Sequence, residues 1–322
     1  MTDQLIDTPR AIPTSRTRGD VIFRRAAMAS GLSTFVIMGL IGTFLLLRAL
    51  PAFRIAGLHF FTHTLWQFAS THPDFGIAAV LYWTVVISLV ALALALPVSV
   101  GTALYITEYA PLRLRRPLTA LVDLLAAVPS LIFGMWGLFF LQPRMTGLSK
   151  WMSIHVSFIP IFKVTSGHFA SSPFIAGVVV GLMIVPIITS VSREVFSQAP
   201  PSEKEGALAL GGTRWGMIRA VVLPFGRGGV IGGSMLGLGR ALGETIAVAI
   251  ILSPSFFVTP RILEGGGNSV AALIALHFGE ARSTELSALM AAGLTLFIVT
   301  LIVNALATVV VSRSRSGKGV EI

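Results

Sequence analysis

Residues 203–224, EKEGALALGGTRWGMIRAVVLP, form a connection of mixed charged and apolar residues between two apolar runs, and their pattern is the most informative one for the fold. Residues 203–210 are mostly good helix formers, and Gly211-Gly212 interrupts them. Thr213 is a residue type that caps helix N-termini, so a second helix is predicted to follow it. The apolar stripe of that second helix is Met217, Ile218, Val221 and Val222. The stretch therefore predicts two short helices joined by a glycine turn.

The residues before this stretch support the prediction. Pro200 and Pro201 end the preceding element, and Ser202 followed three residues later by Glu205 resembles a capping box. A short surface helix next to an apolar run is suited to insertion into a groove on another protein. We therefore predict a docking element for a cytoplasmic partner at about residues 200–220.

The composition of the chain is that of a membrane protein. Of its 322 residues, 54% are apolar and only 12% are charged, and the mean hydropathy is +0.84. A soluble domain carries about 25% charged residues. The sequence contains no cysteine, so a disulfide framework and a thiolate metal site are excluded. Its six histidines form no metalloprotease motif, and no metal-ligating residue is assigned.

Six apolar runs have the length of about 17–25 residues that a membrane-spanning helix needs. They cover residues 26–47, 77–106, 121–141, 174–192, 229–252 and 287–311. The first run is longer than the apolar core of a signal peptide, about 7–15 residues, so we interpret it as a retained helix. The predicted fold class is an all-α integral membrane protein with six transmembrane helices in residues 26–312, flanked by tails at 1–25 and 313–322.

The basic residues predict which ends of the helices face the cytoplasm. Sixteen Lys and Arg residues lie in the two tails and in the connections 107–120 and 193–228, against seven in the other connections. Because cytoplasmic connections are enriched in Lys and Arg, both termini are predicted inside. The cytoplasmic tails and connections therefore account for most of the net charge of +10, and a nucleic-acid-binding surface is not needed to explain it. The aromatic-rich connections 48–76 and 142–173 are predicted at the outer membrane interface.

Proline and glycine mark interruptions and close packing in the apolar runs. Three prolines lie inside runs: Pro97, Pro129 and Pro186. The stretch DLLAAVPSLIFG, residues 123–134, combines an acid with a Pro-Ser break, a discontinuity typical of transport paths. Glycines recur every four residues in the fifth run: Gly229, Gly233 and Gly237, and again Gly239 and Gly243. This spacing predicts close approach of a neighbouring helix.

The fifth run also contains two charged residues, Arg240 and Glu244, in LGLGRALGETI, residues 236–246. A charge at the bilayer centre costs about 2.5–3.5 kcal/mol, so two charged residues in one span are expected to have a structural or functional role. Four residues apart on one helix, they are expected to pair, with Arg240 near the middle of the span. One interpretation is a structural ion pair. The other is a substrate gate, because a guanidinium matches the oxygens of a phosphate and Glu244 neutralises Arg240 in an empty path.

The docking element resembles that of a known family. Glu205-Gly206-Ala207, then Gly211, then Val221-x-Leu223-Pro224 is similar to the coupling-helix signature of ABC importer permeases, Glu-Ala-Ala, Gly and Ile-x-Leu-Pro. Gly206 and Val221 depart mildly from it. The resemblance implies a MetI-like, type I importer fold in which helices two to six form the core and the first lies outside. It implies that the following residues couple the chain to an ATPase: Glu205, Gly206, Ala207, Gly211, Leu223 and Pro224.

Two further stretches, DLLAAVPSLIFGMWG at 123–137 and GLGRALGETIAV at 237–248, resemble permeases of Pst-type phosphate importers. The resemblance implies that the chain is a permease subunit of an ATP-driven inorganic phosphate importer in the bacterial plasma (inner) membrane, and that it forms half of the translocation path. The resemblance also implies three kinds of partner. A second, PstA-like permease lies beside the chain in the lipid bilayer, two PstB-like ATP-binding subunits lie on the cytoplasmic side, and a PstS-like phosphate-binding protein lies on the extracytoplasmic side. Arg240 and Glu244 are the implied translocation residues. Asp123 and Ser130 are weaker candidates, since Asp123 is also explained as a charge at the start of a helix.

The chain itself is not expected to be an enzyme. It lacks the GxxxxGK[ST] motif, because SGKG at 316–319 has no upstream glycine at the required spacing. ATP and Mg²⁺ are therefore expected on partner subunits, and no catalytic residue or cofactor is assigned to this chain. Two transport alternatives stay open: a permease for another oxyanion such as sulfate or molybdate, and an ion-coupled carrier or channel without an ATPase. An intramembrane hydrolase would need a nucleophile–base pair or metal cluster, and the apolar runs contain none.

Overall fold

A computed structural model of the chain describes residues 18–68 and 73–313, and these are almost entirely helical. The α-helices are α1 Arg18–Ala56, α2 Ala78–Leu104, α3 Leu112–Ala127, α4 Ser130–Trp136, α5 Gln142–His155, α6 Pro173–Ser197, α7 Pro201–Ala209, α8 Arg214–Met217, α9 Leu223–Leu242, α10 Ile246–Ile251, α11 Val270–His277 and α12 Ser283–Arg313. Two short strands, β1 Trp66–Gln67 and β2 Asp74–Phe75, pair antiparallel. Most of the two predicted tails, with Arg10, Arg16, Arg315 and Lys318, lies outside the described residues.

Five helical segments of the described residues are long and apolar enough to cross a membrane. They are Arg18–Phe61, Ala78–Tyr109, Pro173–Ser197, Arg214–Leu242 and Ser283–Val309. A sixth span is obtained when α3 and the helical segment Ser130–His155, which meet at an angle of 90°, are counted together. The prediction of an all-α membrane protein is confirmed, and the six predicted runs correspond to these segments in order.

The centre of the molecule is formed by α2, α6 and α9, which pack against one another. Their apolar cluster includes Trp83 and Ile87 of α2 and Ile184 of α6. Helix α12 packs on α9, and α1 packs on α12. In the most apolar part of α1 only 11% of residues are buried, compared with 61% in the segment Pro173–Ser197. The first span therefore lies outside the core, as predicted.

Helices α6 and α9 are in contact through the glycines of α9. A Cβ atom on Gly229 would lie 2.3 Å from a methyl carbon of Val195, and one on Gly237 would lie 2.9 Å from Ile188. Since real Cβ atoms do not approach neighbours this closely, a side chain at either position would require Val195 or Ile188 to shift. The close packing predicted from the four-residue glycine spacing is confirmed here. A Cβ atom on Gly239 or Gly243 would have no neighbour this close, so these two glycines are not part of the contact with α6.

The third predicted run, 121–141, is broken in its middle. Helix α3 ends at Ala127, Val128 is extended with φ −67° and ψ 127°, and Pro129 precedes α4. The helical conformation is disfavoured for a residue before proline, and the extended conformation of Val128 before Pro129 agrees with this preference. A π-helical turn, Gly137–Leu141, joins α4 to α5. By contrast, Pro97 and Pro186 lie inside the continuous helices α2 and α6.

The prediction of one continuous helix over 229–252 is wrong. Helix α8, a π-helical turn at Ile218–Val222 and α9 form one helical segment, Arg214–Leu242, of 29 residues. It ends because Gly243 takes a non-helical conformation as the C-cap residue. The short helix α10 follows after Thr245. The helical segment therefore begins about 15 residues before the predicted run, and Arg240 lies near the end of this segment rather than in the middle of a helix.

Candidate functional site: a pocket at two helix breaks

An open pocket of about 470 Å³ lies where α9 ends and α4 begins. Its lining residues are Ser130, Gly239, Arg240, Gly243, Glu244, Thr245 and Ile246. Helix α4 is brought to this place by α10, since a Cβ atom on Gly134 would lie 2.9 Å from the Cα atom of Ala247. The break at Pro129 and the break at Gly243 therefore meet at one pocket.

Arg240 supplies the positive charge of the pocket. It is the third residue from the end of α9, and its side chain is exposed. Within residues 18–68 and 73–313 it forms no ion pair with Glu244, so the predicted pairing is wrong. The physical reason is the helix end at Leu242, because residues 240 and 244 no longer share one face of a continuous helix.

Glu244 supplies a carboxylate that is largely removed from solvent, with 7% of the residue exposed. Its Oε1 accepts a hydrogen bond from the backbone N–H of Ala247 at 3.4 Å, in the first turn of α10. Its backbone oxygen accepts one from Ser269 Oγ at 3.4 Å. The carboxylate is therefore held by the start of α10 and not by Arg240, although both residues line the same pocket.

The two weaker candidates are placed differently. Ser130 is the half-buried first residue of α4 and lines the pocket with Arg240 and Glu244. Asp123 is exposed in the last turns of α3 and does not line the pocket. It was interpreted as a charge at a helix start, which is wrong, because α3 begins at Leu112 directly after Pro111.

Thr245 is a pocket residue that the sequence reasoning missed. Its hydroxyl donates to the backbone oxygen of Gly243 at 3.1 Å, which leaves its oxygen able to accept a further hydrogen bond. It lies in the same GRALGET stretch that was singled out for its charges. The pocket is also lined by Gly239, Gly243 and Ile246. They lie together because the helix is broken at Gly243, and the apolar pattern of the sequence does not show this break.

The docking element lies at the other end of the same helical segment. Helix α7 ends at Ala209, and Gly211 has a φ of +83°, a left-handed conformation that favours glycine. Thr213 Oγ1 then accepts a hydrogen bond from the N–H of Gly216 at 3.1 Å and caps α8. The predicted sequence of helix, glycine turn and capped second helix is confirmed. Leu223 and Pro224 are the first residues of α9.

Two details of the docking element differ from the prediction. The N-cap residue of α7 is Pro200, without a side-chain cap, so Ser202 lies inside the helix and forms no capping box. Glu205 is likewise in the middle of α7 rather than at its start, and it is exposed together with Gly206, whereas Ala207 is half-buried. The reason is that Pro201 fits the first turn of a helix and starts α7 one residue earlier than Ser202.

An ion pair that the sequence did not indicate joins the docking element to α2. The Nζ atom of Lys204 lies 2.7 Å from Oε1 of Glu108, and the two side chains are 19% and 9% exposed. Glu108 belongs to a π-helical turn, Tyr105–Tyr109, that extends α2. Because 96 residues separate the partners, no local pattern could have connected them.

Among the described residues, no three His, Asp or Glu side chains come together in a group that could hold a metal ion. The charged chemistry of the pocket is therefore that of Arg240 and Glu244, with hydroxyl groups from Ser130 and Thr245 beside them. A guanidinium with hydroxyl groups around it is suited to an anion with several acceptor oxygens.

Solved transporters share the fold. The chain aligns with a bacterial ABC transporter involved in the import of the acidic polysaccharide alginate, with a TM-score of 0.58 and 18% identity over 92% of this chain and 98% of the other. It aligns with the MetNI methionine ABC transporter in an inward-facing conformation with a TM-score of 0.52 and 14% identity, over 73% of this chain and 94% of the other. At these identities the likeness establishes the fold alone, which is that of ABC importer permeases.

Sequence comparison is more specific. The family model described as "Binding-protein-dependent transport system inner membrane component" matches residues 95–316. The chain is 43% identical to the phosphate transport system permease protein PstC 2 of Mycobacterium tuberculosis, over 93% of this chain and 94% of the relative. It is 39% identical to PstC of Xylella fastidiosa strain Temecula1, over 99% of this chain and 100% of the relative. The chain therefore belongs to the binding-protein-dependent inner membrane transport components and, within them, to the PstC group of phosphate transport system permeases.

Proposed function

We propose that the chain is the permease subunit of an ATP-driven importer of inorganic phosphate in the inner membrane of a bacterium, and that Arg240 binds the phosphate in passage. The single observation that carries the role of Arg240 is its exposed guanidinium at an open pocket between two helix breaks, without an ion pair among the described residues. The substrate follows from the names of the relatives, which are phosphate transport system permeases.

The two charges of the pocket have separate tasks in this proposal. Arg240 presents planar donors that match phosphate oxygens, and Ser130 and Thr245 add hydroxyl groups. Glu244 keeps a negative charge at the same pocket while it is anchored to Ala247. Its repulsion limits how tightly an anion is held, which favours release over retention. The gate therefore works without a direct Arg240–Glu244 pair in the state described here.

The pocket is open, and we assign its missing wall to a second permease subunit of PstA-like type. Helices α3 and α4, on either side of the break at Pro129, carry exposed apolar side chains: Leu121, Leu124, Leu131, Ile132 and Met135. Apolar surfaces next to a polar path are suited to burial against another subunit. Asp123 is exposed on α3 and does not line the pocket, so it has no role in the proposed binding of phosphate.

Coupling to ATP hydrolysis is assigned to α7, α8 and the turn between them. This element leaves Leu210 and Trp215 exposed, 91% and 57%, which is unusual for large apolar side chains in water and typical of a protein contact. In the proposed complex, two ATP-binding subunits bind ATP and Mg²⁺ and receive this element, and a phosphate-binding protein delivers substrate on the opposite side. The chain itself contributes no catalytic residue.

The proposal is tested by reconstituting the chain with its second permease, ATP-binding subunits and binding protein in liposomes. We expect uptake of labelled phosphate that requires ATP and is lost when the ATP-binding subunits are omitted. Sulfate and molybdate, each supplied with a matching binding protein or at high concentration, serve as controls for another oxyanion. Uptake of sulfate or molybdate in place of phosphate, or phosphate uptake without the ATP-binding subunits, would contradict the proposal.

A further inference from the structure

We propose that the ion pair Lys204–Glu108 is a positioning device that transmits movement of α7 to α2, so that the ATP-binding partner acts on two spans of the permease at once. The inference rests on the proposed function, since it concerns how an ATPase drives this permease. The observation behind it is the 2.7 Å contact between Nζ of Lys204 and Oε1 of Glu108.

The pair is shielded from solvent by its surroundings. The side chains are 19% and 9% exposed, whereas α7 carries most of its other side chains on the surface. Next to it is an apolar cluster formed by the end of α2, the end of α6 and the π-helical turn after α8: Ala103, Leu104, Phe196, Ala199, Met217, Ile218 and Val222. A charge-assisted hydrogen bond in such a place is stronger than a pair on an open surface.

Helix α7 is joined to α6 through residues 198–200 and to α8 through its glycine turn. Helix α7 packs on α8 and on the π-helical turn Ile218–Val222 that follows it. Movement of α7 therefore reaches α9 through the chain itself. Lys204 adds a second route, since Glu108 belongs to the turn that extends α2, and α2 packs along both α6 and α9. The two routes converge on the helix that ends at the pocket of Arg240.

The test measures phosphate transported per ATP hydrolysed in the complete reconstituted complex. Lys204→Met and Glu108→Gln remove one charge each while they keep side-chain length. We expect both variants to hydrolyse ATP but to transport less phosphate per ATP, by about fivefold or more, the usual range of coupling between two sites. Lys204→Arg, which keeps the charge, and the exchange Lys204→Glu with Glu108→Lys are expected to recover at least half of the ratio. Glu194→Gln, an exposed glutamate on the neighbouring helix α6 and outside the docking element, is the matched control and should not change it.

Each other outcome overturns the inference. An unchanged ratio in both single variants would show that the pair transmits nothing. A lower amount of assembled complex with an unchanged ratio per complex would show a purely structural contact. A reduced ratio that the charge exchange does not recover would show that the two residues act independently. A wild-type complex that transports no phosphate counts against the proposed function, whereas an unchanged ratio in a transporting complex counts only against the ion-pair inference.

Discussion

Arg240 places an exposed positive charge at the mouth of the pocket, while the nearby carboxylate of Glu244 is held by the backbone of α10. Because the two side chains do not pair, removing one of them leaves no newly unpaired buried partner. This differs from a buried ion pair, in which loss of one partner costs about 3–5 kcal/mol. The arrangement separates the contribution of Arg240 to transport from any contribution to folding.

Arg240→Gln is therefore expected to lower phosphate uptake while the amount of assembled complex stays near that of the wild type. Hydrogen bonds to charged groups contribute about 1.5–3 kcal/mol, so uptake should fall by roughly tenfold or more. Arg240→Lys keeps the charge but loses the planar fork, and an intermediate rate is expected. The measurement is labelled phosphate uptake in the reconstituted complex, normalised to assembled protein.

Arg227→Gln is the matched control, because Arg227 is another exposed arginine of α9 that does not line the pocket. The double variant Arg240→Gln with Glu244→Gln distinguishes a gate from a structural pair. Near-normal uptake in the double variant would mean that Arg240 serves structure alone, contrary to the expectation of continued loss.

The sequence identified three residues of the pocket, Arg240, Glu244 and Ser130, because charges and a Pro-Ser break are unusual in apolar runs. It did not reveal their geometry. Apolar residues continue past Gly243 into α10, so hydrophobicity alone predicted an unbroken helix and an ion pair along its face. Helix α9 ends where Gly243 leaves the helical conformation, and α10 then packs on α4, α6 and α11, contacts that a periodic pattern does not record.

At the scale of elements, the turn between α7 and α8 depends on the backbone conformation of Gly211. A non-glycine residue with a φ near +83° costs about 1–2 kcal/mol, and a β-branched residue costs more. The space beside Gly211 is open, so the cost is conformational and not a clash. The strain would be relieved by a local change in the turn, which reorients α7 without affecting the membrane helices.

Gly211→Val is expected to uncouple ATP hydrolysis from phosphate uptake while the spans remain folded. Uptake per ATP should fall, and the thermal unfolding of the permease should change little. Gly206→Ala is the control: no atom lies within 4 Å of the added methyl group, and the exchange should stabilise α7 by about 0.5–1 kcal/mol. Wild-type uptake per ATP in Gly211→Val would be evidence against the docking role.

A second element-scale feature is the contact between the loops 156–172 and 253–269. The carboxylate of Glu264 accepts hydrogen bonds from the Ser166 N–H at 3.0 Å and from Thr165 Oγ1 at 3.3 Å, and it pairs with Arg261 at 3.4 Å. Burial alone would raise the pKa of Glu264, but the hydrogen bonds from Ser166 and the charge of Arg261 lower it below its ordinary value of 4.5. The ionised form therefore holds the two loops together.

A carboxylate with a lowered pKa in the folded state stabilises the fold above its ordinary pKa, and this contribution is lost as the pH falls through the lowered value. We expect the loops 156–172 and 253–269 to lose hydrogen-exchange protection as the pH falls below 4.5. In Glu264→Gln, protection should be weaker at neutral pH and nearly independent of pH in that range. Equal pH dependence in both proteins would assign the effect to another group.

At the scale of the whole molecule, the orientation in the membrane is still a prediction from the basic residues, and the absence of cysteine makes it testable. Ser202 on α7 and Ser157 after α5 are both exposed. We expect a membrane-impermeant maleimide to label Ser157→Cys in intact cells and Ser202→Cys only after permeabilisation. The reverse pattern would invert the topology. Ser269, just before α11, is unsuitable for labelling because only 3% of it is exposed.

The class of fold and the order of the spans could be predicted because both depend on local composition. Apolar runs of sufficient length, the glycine spacing of α9 and the turn at Gly211 are each local signals. The positions of the helix ends could not be predicted, since α1 extends to Ala56 and the fifth helical segment begins at Arg214, both well beyond the apolar runs. Arg18, Arg54 and Arg214 are good helix formers, and polar helix ends give no hydrophobic signal.

The seam of glycines between α9 and α6 also constrains how such a sequence can diverge. Gly229, Gly233 and Gly237 face Val195, Val191 and Ile188, and a Cβ atom at any of the three would come within 3.1 Å of its neighbour. A methyl group on α9 is accommodated only if the opposite side chain on α6 shifts or becomes smaller. Substitutions along this seam are therefore expected on α6, or as compensating pairs on both helices. Related sequences should accordingly differ at the α6 side of the interface far more often than at the three glycines of α9.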